Sequence, residues 1–169
     1  MTNYIYVDNS NIYIEGCRIQ AVKAGLATNI FDAMNKGVVD HTWNLDYGRL
    51  YEFFCQPGDV ARLWGSPPPG DSFWEMVKRK GWEIKIYDKN IRNKEKKVDV
   101  AIGYAMSKDA FTRVGKAKDV LTLVAGDKDH EPAVLDLKQE GFNVEVAFWG
   151  QAASELKAAA TKFINLDQY

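Results

Sequence analysis

Short apolar runs alternate with longer segments of helical periodicity along most of the chain. The runs predict five strands and one short edge strand, over residues 3–8, 60–64, 82–87, 120–125, 142–149 and 163–166. Strands that alternate with helices are typical of a parallel sheet, because each parallel connection needs a crossover. The pattern therefore predicts an α/β fold with a five- or six-stranded, mostly parallel sheet and helices on both faces.

The segments between the strands carry the predicted helices. Apolar spacing and capping residues predict helices over residues 46–54, 71–80, 98–113 and 129–140. Ser154 is expected to cap a further short helix. Residues 10–36 are ambiguous, because 11–20 favour a helix whereas glycines interrupt the spacing that follows.

Composition and length are those of an ordinary globular domain. The chain has 169 residues, of which 46% are hydrophobic and 27% are charged, and we expect residues 1–169 to form a single domain. No apolar run is long enough to span a bilayer, and Asp8 follows the N-terminus too closely for a signal peptide. Cys17 and Cys55 have neither disulfide nor metal spacing. We therefore expect a cytoplasmic protein that does not associate with membranes.

Carboxylates collect after two predicted strands and at the start of one predicted helix. Asp8 ends the first strand, and Asp127 and Asp129 follow the fourth strand directly after Gly126. Asp99 lies in the first turn of the helix predicted to begin near residue 98. Strands one and four can be neighbours where the strand order reverses, which would bring these acids to one edge of the sheet. Because crowded carboxylates repel one another unless a cation lies among them, the pattern indicates a divalent-metal site.

Each acid also has a purely structural interpretation. Asp8 can cap the helix that follows it, and Asp99 can favour the positive N-terminus of its helix. Asp129 can cap the next helix, and Glu131 can lie in the first turn of that helix. Each interpretation is at least as good as metal binding when its residue is taken alone. The coincidence of all these acids at one edge favours the metal site.

Three motifs stand at corresponding places in the predicted fold. They are Asp8-x-x-Asn11, Lys97-Val98-Asp99-Val100-Ala101, and Leu123-Val124-Ala125-Gly126-Asp127-Lys128-Asp129. Together with the tail from Gly141 to Leu166, they resemble the NYN domain family, which belongs to the PIN-like ribonucleases and includes bacterial LabA-like proteins. The resemblance spans nearly the whole chain.

The resemblance implies a parallel sheet of order 3-2-1-4-5 with an acidic pocket that binds Mg²⁺ or Mn²⁺. The residues at the family's acidic positions would be both metal ligands and catalytic residues; they are Asp8, Asp99, Asp127 and Asp129. Asn11 matches the polar partner of these acids. The implied reaction is hydrolysis of RNA, or of another nucleic acid, by a metal-activated water.

Some positions depart from the family pattern. Ala105 stands where many members have a further acid, and Asp109, about one turn beyond it, is a candidate replacement. His130 stands where an aromatic residue is common; it is structural by default, or it contacts phosphate or binds a transition metal. Lys128 partly neutralises the acidic loop or contacts a phosphate. These departures leave two functions open: an active endoribonuclease, and a weak or inactive NYN module that binds nucleic acid or has a regulatory role.

Basic residues concentrate just before Asp99. Residues 78–97 hold nine basic and three acidic side chains, although the formal net charge of the whole chain is −1. This stripe is either a solvated face or a contact for the nucleic-acid backbone. The candidates for backbone contacts are Arg92, Lys94, Lys96 and Lys97. Trp43 and Trp64, which lie beside predicted loops, are candidates for base stacking.

Two further points complete the sequence-based expectations. Gly126-Asp127-x-Asp129 is faintly similar to a motif of HAD-type phosphatases, but that class needs an acid two residues after Asp8, where Ser10 stands. We therefore set that class aside. The sequence leaves a homodimer open and does not identify the RNA.

Overall fold

The computed structural model describes residues 1–66, 69–87 and 94–169, with the side chains of 94–96 excepted. Its centre is a six-stranded sheet in which every pair of neighbouring strands is parallel. The strands are β1 (Asn3–Asp8), β2 (Val60–Gly65), β3 (Glu83–Ile86), β4 (Val120–Val124), β5 (Asn143–Phe148) and β6 (Lys162–Asn165). The order is β3-β2-β1-β4-β5-β6, so the predicted fold class and strand order are confirmed.

In the described ranges, seven helices and one short 3₁₀ helix connect the strands. They are α1 (Asn9–Lys23), α2 (Ile30–Lys36), α3 (Tyr47–Phe54), α4 (Asp71–Arg79), α5 (Lys94–Thr112), the 3₁₀ helix (Lys128–His130), α6 (Glu131–Gln139) and α7 (Ser154–Ala159). Within the described ranges, no helix has the length and apolarity needed to cross a bilayer.

The helix ends confirm some expectations and correct others. Asp46 caps α3 as predicted, because its Oδ1 accepts hydrogen bonds from the N–H groups of Gly48 and Arg49. The prediction that Ser154 caps α7 was wrong: Ala153 is the cap, and the Ser154 hydroxyl donates to a neighbouring glutamate instead. Helix α5 begins four residues before the predicted position. Asp99 therefore lies in its second turn and not in its first.

Side chains along each strand alternate between the two faces of the sheet, and each face carries its own apolar core. On β1, Tyr4 and Tyr6 pack with α5, α6 and α7, whereas Ile5 and Val7 pack with α1, α3 and α4. Trp64 is only 2% exposed and stacks on Tyr6 with ring centroids 5.9 Å apart. Because its ring is buried in the core, Trp64 is not the base-stacking surface that the sequence allowed.

One core contains a charged pair that joins α5 to the sheet. Asp109 of α5 forms an ion pair with Arg62 of β2 and accepts a 2.7 Å hydrogen bond from the Tyr6 hydroxyl. Burial and this hydrogen bond raise the pKa of Tyr6. Arg62 also donates from Nε to Glu83 at 2.9 Å. The charges of Asp109 and Arg62 therefore have hydrogen-bond partners within the fold.

Candidate metal centre

The site lies at the carboxyl edge of the sheet, where the strand order reverses. Strands β1 and β4 are neighbours, and Val7 lies opposite Val124. The residues that follow both strands therefore emerge side by side, in the crevice where open α/β sheets bind ligands. Helix α5 packs against β1 and against the 3₁₀ helix. These three elements bring Asp8, Asp99 and His130 together.

The three side chains offer donor atoms that all lie within 4.8 Å of one another. His130 Nε2 is 3.3 Å from Asp99 Oδ1 and 3.8 Å from Asp8 Oδ2. Two of its members are buried, since His130 is 2% exposed and Asp8 5% exposed, and Asp99 is partly buried. Within the part of the chain that the structure describes, Nε2 has no hydrogen-bond partner. A buried donor set of this kind could bind a metal ion.

Asp8 has a structural role in addition to its place in the cluster. It is the N-cap of α1, and its Oδ1 accepts a 3.1 Å hydrogen bond from the N–H of Asn11. The capping interpretation is therefore correct. It does not compete with metal binding, because a carboxylate has two oxygens and Oδ2 is the one that faces His130.

The electrostatic environment disfavours a charged carboxylate at Asp99. Burial raises its pKa from 3.8 to about 6, the charge of His130 opposes this shift, and the charges of Asp8, Asp127 and Asp129 add to it. An acid whose pKa is raised by burial and by like charges in a cleft is typical of functional sites. A bound cation would relieve this repulsion.

Asp127 and Asp129 lie outside the buried cluster, and both are exposed together with Lys128. Asp127 caps the 3₁₀ helix, because its Oδ1 accepts a 3.0 Å hydrogen bond from the N–H of Asp129. Asp129 does not cap the helix that contains Pro132, as the sequence allowed, because the N-cap residue of α6 is His130, which makes no side-chain capping hydrogen bond. The charges of both acids nevertheless act on Asp99. The centre therefore has an inner cluster and an outer acidic rim.

Asn11 and Gly126 hold the loop that carries the rim. The side-chain oxygen of Asn11 accepts a 2.7 Å hydrogen bond from the N–H of Gly126. A Cβ at Gly126 would overlap the ring of Phe148, so only glycine fits there. The expected partner of the acids is thus a residue that positions their loop.

Asp109, the candidate replacement for the missing acid, is not brought to this centre. It is ten residues beyond Asp99 on α5, which is about 15 Å along a helix axis. Its carboxylate is bound by Arg62 and Tyr6. Ala105, at the position of the missing acid, packs against the apolar core. No described residue therefore supplies the acid that many family members have there.

The basic candidates are only partly described. Lys97 is exposed on α5, two residues before Asp99. The backbone of Lys94 and Lys96 lies in the first turn of α5, and Arg92 lies outside the described residues. The exposed Lys128 is one of the influences that lower the pKa of Glu155, after hydrogen bonds from the Glu155 backbone and from Ser154.

A half-buried aromatic cluster lies beside the centre. Trp43 contacts Tyr13 of α1, with centroids 6.1 Å apart, and Trp149, with centroids 6.0 Å apart. Trp149 directly follows β5 at the same edge of the sheet. The Ala153 N–H donates to the Gly126 carbonyl and links this loop to the acidic one. The sequence singled out Trp43 but gave no periodic signal for Tyr13, whose partners come from distant segments.

Comparison with known proteins gives a family and a fold. The model of the NYN domain family matches residues 4–167. A solved structure, that of VPA0982 from Vibrio parahaemolyticus RIMD 2210633, is similar with a TM-score of 0.67 and 16% identity. The match covers 99% of this chain and 94% of that one, a protein described as of unknown function. At this identity the likeness concerns the fold alone. No curated protein matches the chain.

Proposed function

This chain belongs to the NYN domain family, and we propose that it is a divalent-metal-dependent endoribonuclease. Membership of the family implies a PIN-like nuclease-type fold. The observation that carries the proposal is a largely buried cluster at the edge where the strand order reverses. It consists of two carboxylates and an imidazole whose Nε2 has no hydrogen-bond partner among the described residues. Such a donor set, beside further exposed acids, fits a divalent cation.

In this proposal the chain's residues have distinct roles. Asp8 and Asp99 hold Mg²⁺ or Mn²⁺ from the buried side, and Asp127 and Asp129 complete the site from the exposed rim. A bound cation of this type supplies charge neutralisation on a phosphodiester and a water of lowered pKa. Asn11 orients the loop of the rim through its bond to the Gly126 N–H. These roles make the four acids the proposed catalytic and metal-binding residues.

The proposed substrate is RNA. Lys97 is exposed near Asp99, and we assign contacts with the phosphate backbone to it and to the neighbouring basic segment that includes Arg92, Lys94 and Lys96. Trp43 and Tyr13 offer half-exposed rings on which bases can stack. We also propose a cytoplasmic location, which the two free cysteines fit.

The test is the substitution Asp127→Asn. Asparagine keeps the oxygen that caps the 3₁₀ helix, so the fold should remain intact. Mn²⁺-dependent cleavage of RNA should fall by about 100-fold or more, because each 1.4 kcal/mol of lost charge stabilisation costs a factor of ten. The matched control is Asp136→Asn, an exposed acid on α6, which should cleave like wild type. Equal cleavage by all three purified proteins would contradict the proposal.

A second function is favoured by one observation. The position six residues after Asp99 is Ala105, and Asp109 is already bound in the Arg62 pair. In this alternative, the lack of the further acid makes the chain a weak or inactive NYN module that binds nucleic acid. This alternative predicts that the protein binds Mn²⁺ and RNA while the RNA stays intact even at high protein concentration.

A further inference from the structure

His130 differs from an ordinary core histidine in what surrounds its Nε2 atom. The residue is 2% exposed, and the 3₁₀ helix that Asp127 caps turns its ring inward, away from the exposed rim. Within the described ranges, Nε2 has no hydrogen-bond partner. A buried polar nitrogen without a partner is destabilising. Nε2 is therefore open to a bound ligand, as far as the described residues determine its surroundings.

An ion pair with the two acids does not satisfy this nitrogen. Charge-assisted pairs between imidazolium and carboxylate are short and aligned, whereas the nearest carboxylate oxygens are 3.3 Å and 3.8 Å away and neither is in hydrogen-bonding geometry with Nε2. Two ligands that each lie about 2.1 Å from one ion at a right angle are separated by about 3 Å. The observed separations are close to those of neighbouring metal ligands.

The chemistry of the donor set distinguishes between cations. Mg²⁺ is a hard ion that takes oxygen ligands and retains its waters. Imidazole nitrogen instead suits transition metals, and Mn²⁺ combines a preference for carboxylate oxygen with membership of the first-row series that binds nitrogen and oxygen donors. We propose that His130 is a direct metal ligand through Nε2, so that the centre prefers a divalent transition cation such as Mn²⁺ to Mg²⁺. This inference rests on the proposed metal-dependent function and specifies the cation.

The first experiment needs no mutation. The protein is freed of metal, loaded with one equivalent of Mn²⁺, and studied by electron spin-echo envelope modulation, which detects a directly bound imidazole nitrogen. We expect a ¹⁴N signal, replaced by a ¹⁵N signal when the protein is labelled with ¹⁵N-histidine. The chain has only two histidines. The variants His130→Phe and His41→Phe therefore assign the signal; the first should abolish it and the second, at an exposed position, should retain it.

Affinity gives a second readout. His130→Phe should weaken Mn²⁺ binding by about tenfold or more, as expected for a lost ligand, and should change Mg²⁺ binding by less than about threefold. A purely structural role predicts equal losses for both ions. Bound Mn²⁺ without a histidine signal, or a signal that disappears in His41→Phe, would overturn this inference and leave the metal-dependent nuclease proposal intact. Absence of any Mn²⁺ binding would overturn both.

Discussion

Replacement of Asp99 with asparagine should stabilise the metal-free protein at neutral pH, although it removes a proposed metal ligand. Folding moves this carboxylate from water into a partly buried position close to three other acids. Burial raises its pKa from 3.8 to about 6, against the opposing charge of His130. The folded state therefore disfavours the charged form. Asparagine keeps the size and polarity of the side chain and removes the charge.

The magnitude follows from the shift in pKa. One pKa unit corresponds to about 1.4 kcal/mol, so a shift from 3.8 to about 6 corresponds to about 3 kcal/mol as an upper limit. The net shift already includes the opposing charge of His130, and solvent reaches part of the Asp99 side chain, so we expect a gain of about 1 to 2 kcal/mol. For a domain of this size, 1 kcal/mol moves Tm by about 2 to 4 °C.

The sign of the pH dependence is fixed by the direction of the shift. Below pH 3.8 the carboxyl is protonated in both the folded and the unfolded protein, and the charge has no effect. Between pH 3.8 and about 6 the unfolded state releases the proton first, so wild type loses stability relative to Asp99→Asn. Above about pH 6 the difference in stability between wild type and Asp99→Asn has reached its full size. The advantage of the variant should therefore grow as pH rises and then level off.

The assay is urea unfolding with EDTA present, at several values between about pH 4 and pH 8. Asp136→Asn is the matched control, because it removes an exposed charge. Saturating Mn²⁺ should reverse the order, since a ligand at 100 times its Kd adds about 2.7 kcal/mol to wild type alone. An Asp99→Asn variant that is less stable than wild type at pH 7.5, or a difference independent of pH, would refute the reasoning.

Three further predictions concern the surroundings of the centre. Asp109→Ala should destabilise the fold by about 3 to 5 kcal/mol in urea unfolding, because Arg62 loses the more buried of its two carboxylate partners and the Tyr6 hydroxyl loses its acceptor; unchanged stability would contradict this. Gly126→Ala should lower the stability of the fold by about 1 to 3 kcal/mol in thermal unfolding, because the added methyl group overlaps the Phe148 ring; unchanged stability would contradict this. Trp43→Ala should weaken binding of single-stranded RNA by about 1 to 3 kcal/mol in fluorescence anisotropy, whereas Phe31→Ala, which removes an exposed ring of α2, should not.

The sheet was predictable because buried parallel strands leave a strong apolar signal. All six predicted strands overlap observed ones, and the acids after β1 and β4 follow from the strand ends. The start of α5 was not predictable from periodicity. Residues 94–97 are all charged and contribute no apolar stripe, although lysine and glutamate are good helix formers. The lack of an apolar pattern therefore predicted a loop where the structure has a helix, although the helix propensity of these residues is high.

The burial of His130 could not be predicted from the sequence, for a different reason. After β4 the chain enters a 3₁₀ helix, whose three-residue turn decides which side chains face inward. Asp127 and Asp129 are exposed, and His130 is buried beside Asp8. A short turn of this kind has no periodic signal. The sequence therefore predicted the correct edge of the sheet. It named Asp127 and Asp129 of the outer rim as metal ligands, whereas it treated the buried His130 as structural by default.

Helix α5 contains an internal comparison that bears on the metal centre. It carries two acids with little exposure, Asp109 and Asp99, whose side chains are 5% and 14% exposed. Asp109 has an arginine and a tyrosine hydroxyl as partners. Asp99 has beside it, among the described residues, an imidazole at 3.3 Å and three further acids whose charges raise its pKa. Because buried carboxylates need compensation, the chain provides it at Asp109, and the compensation at Asp99 is expected to come from a bound cation.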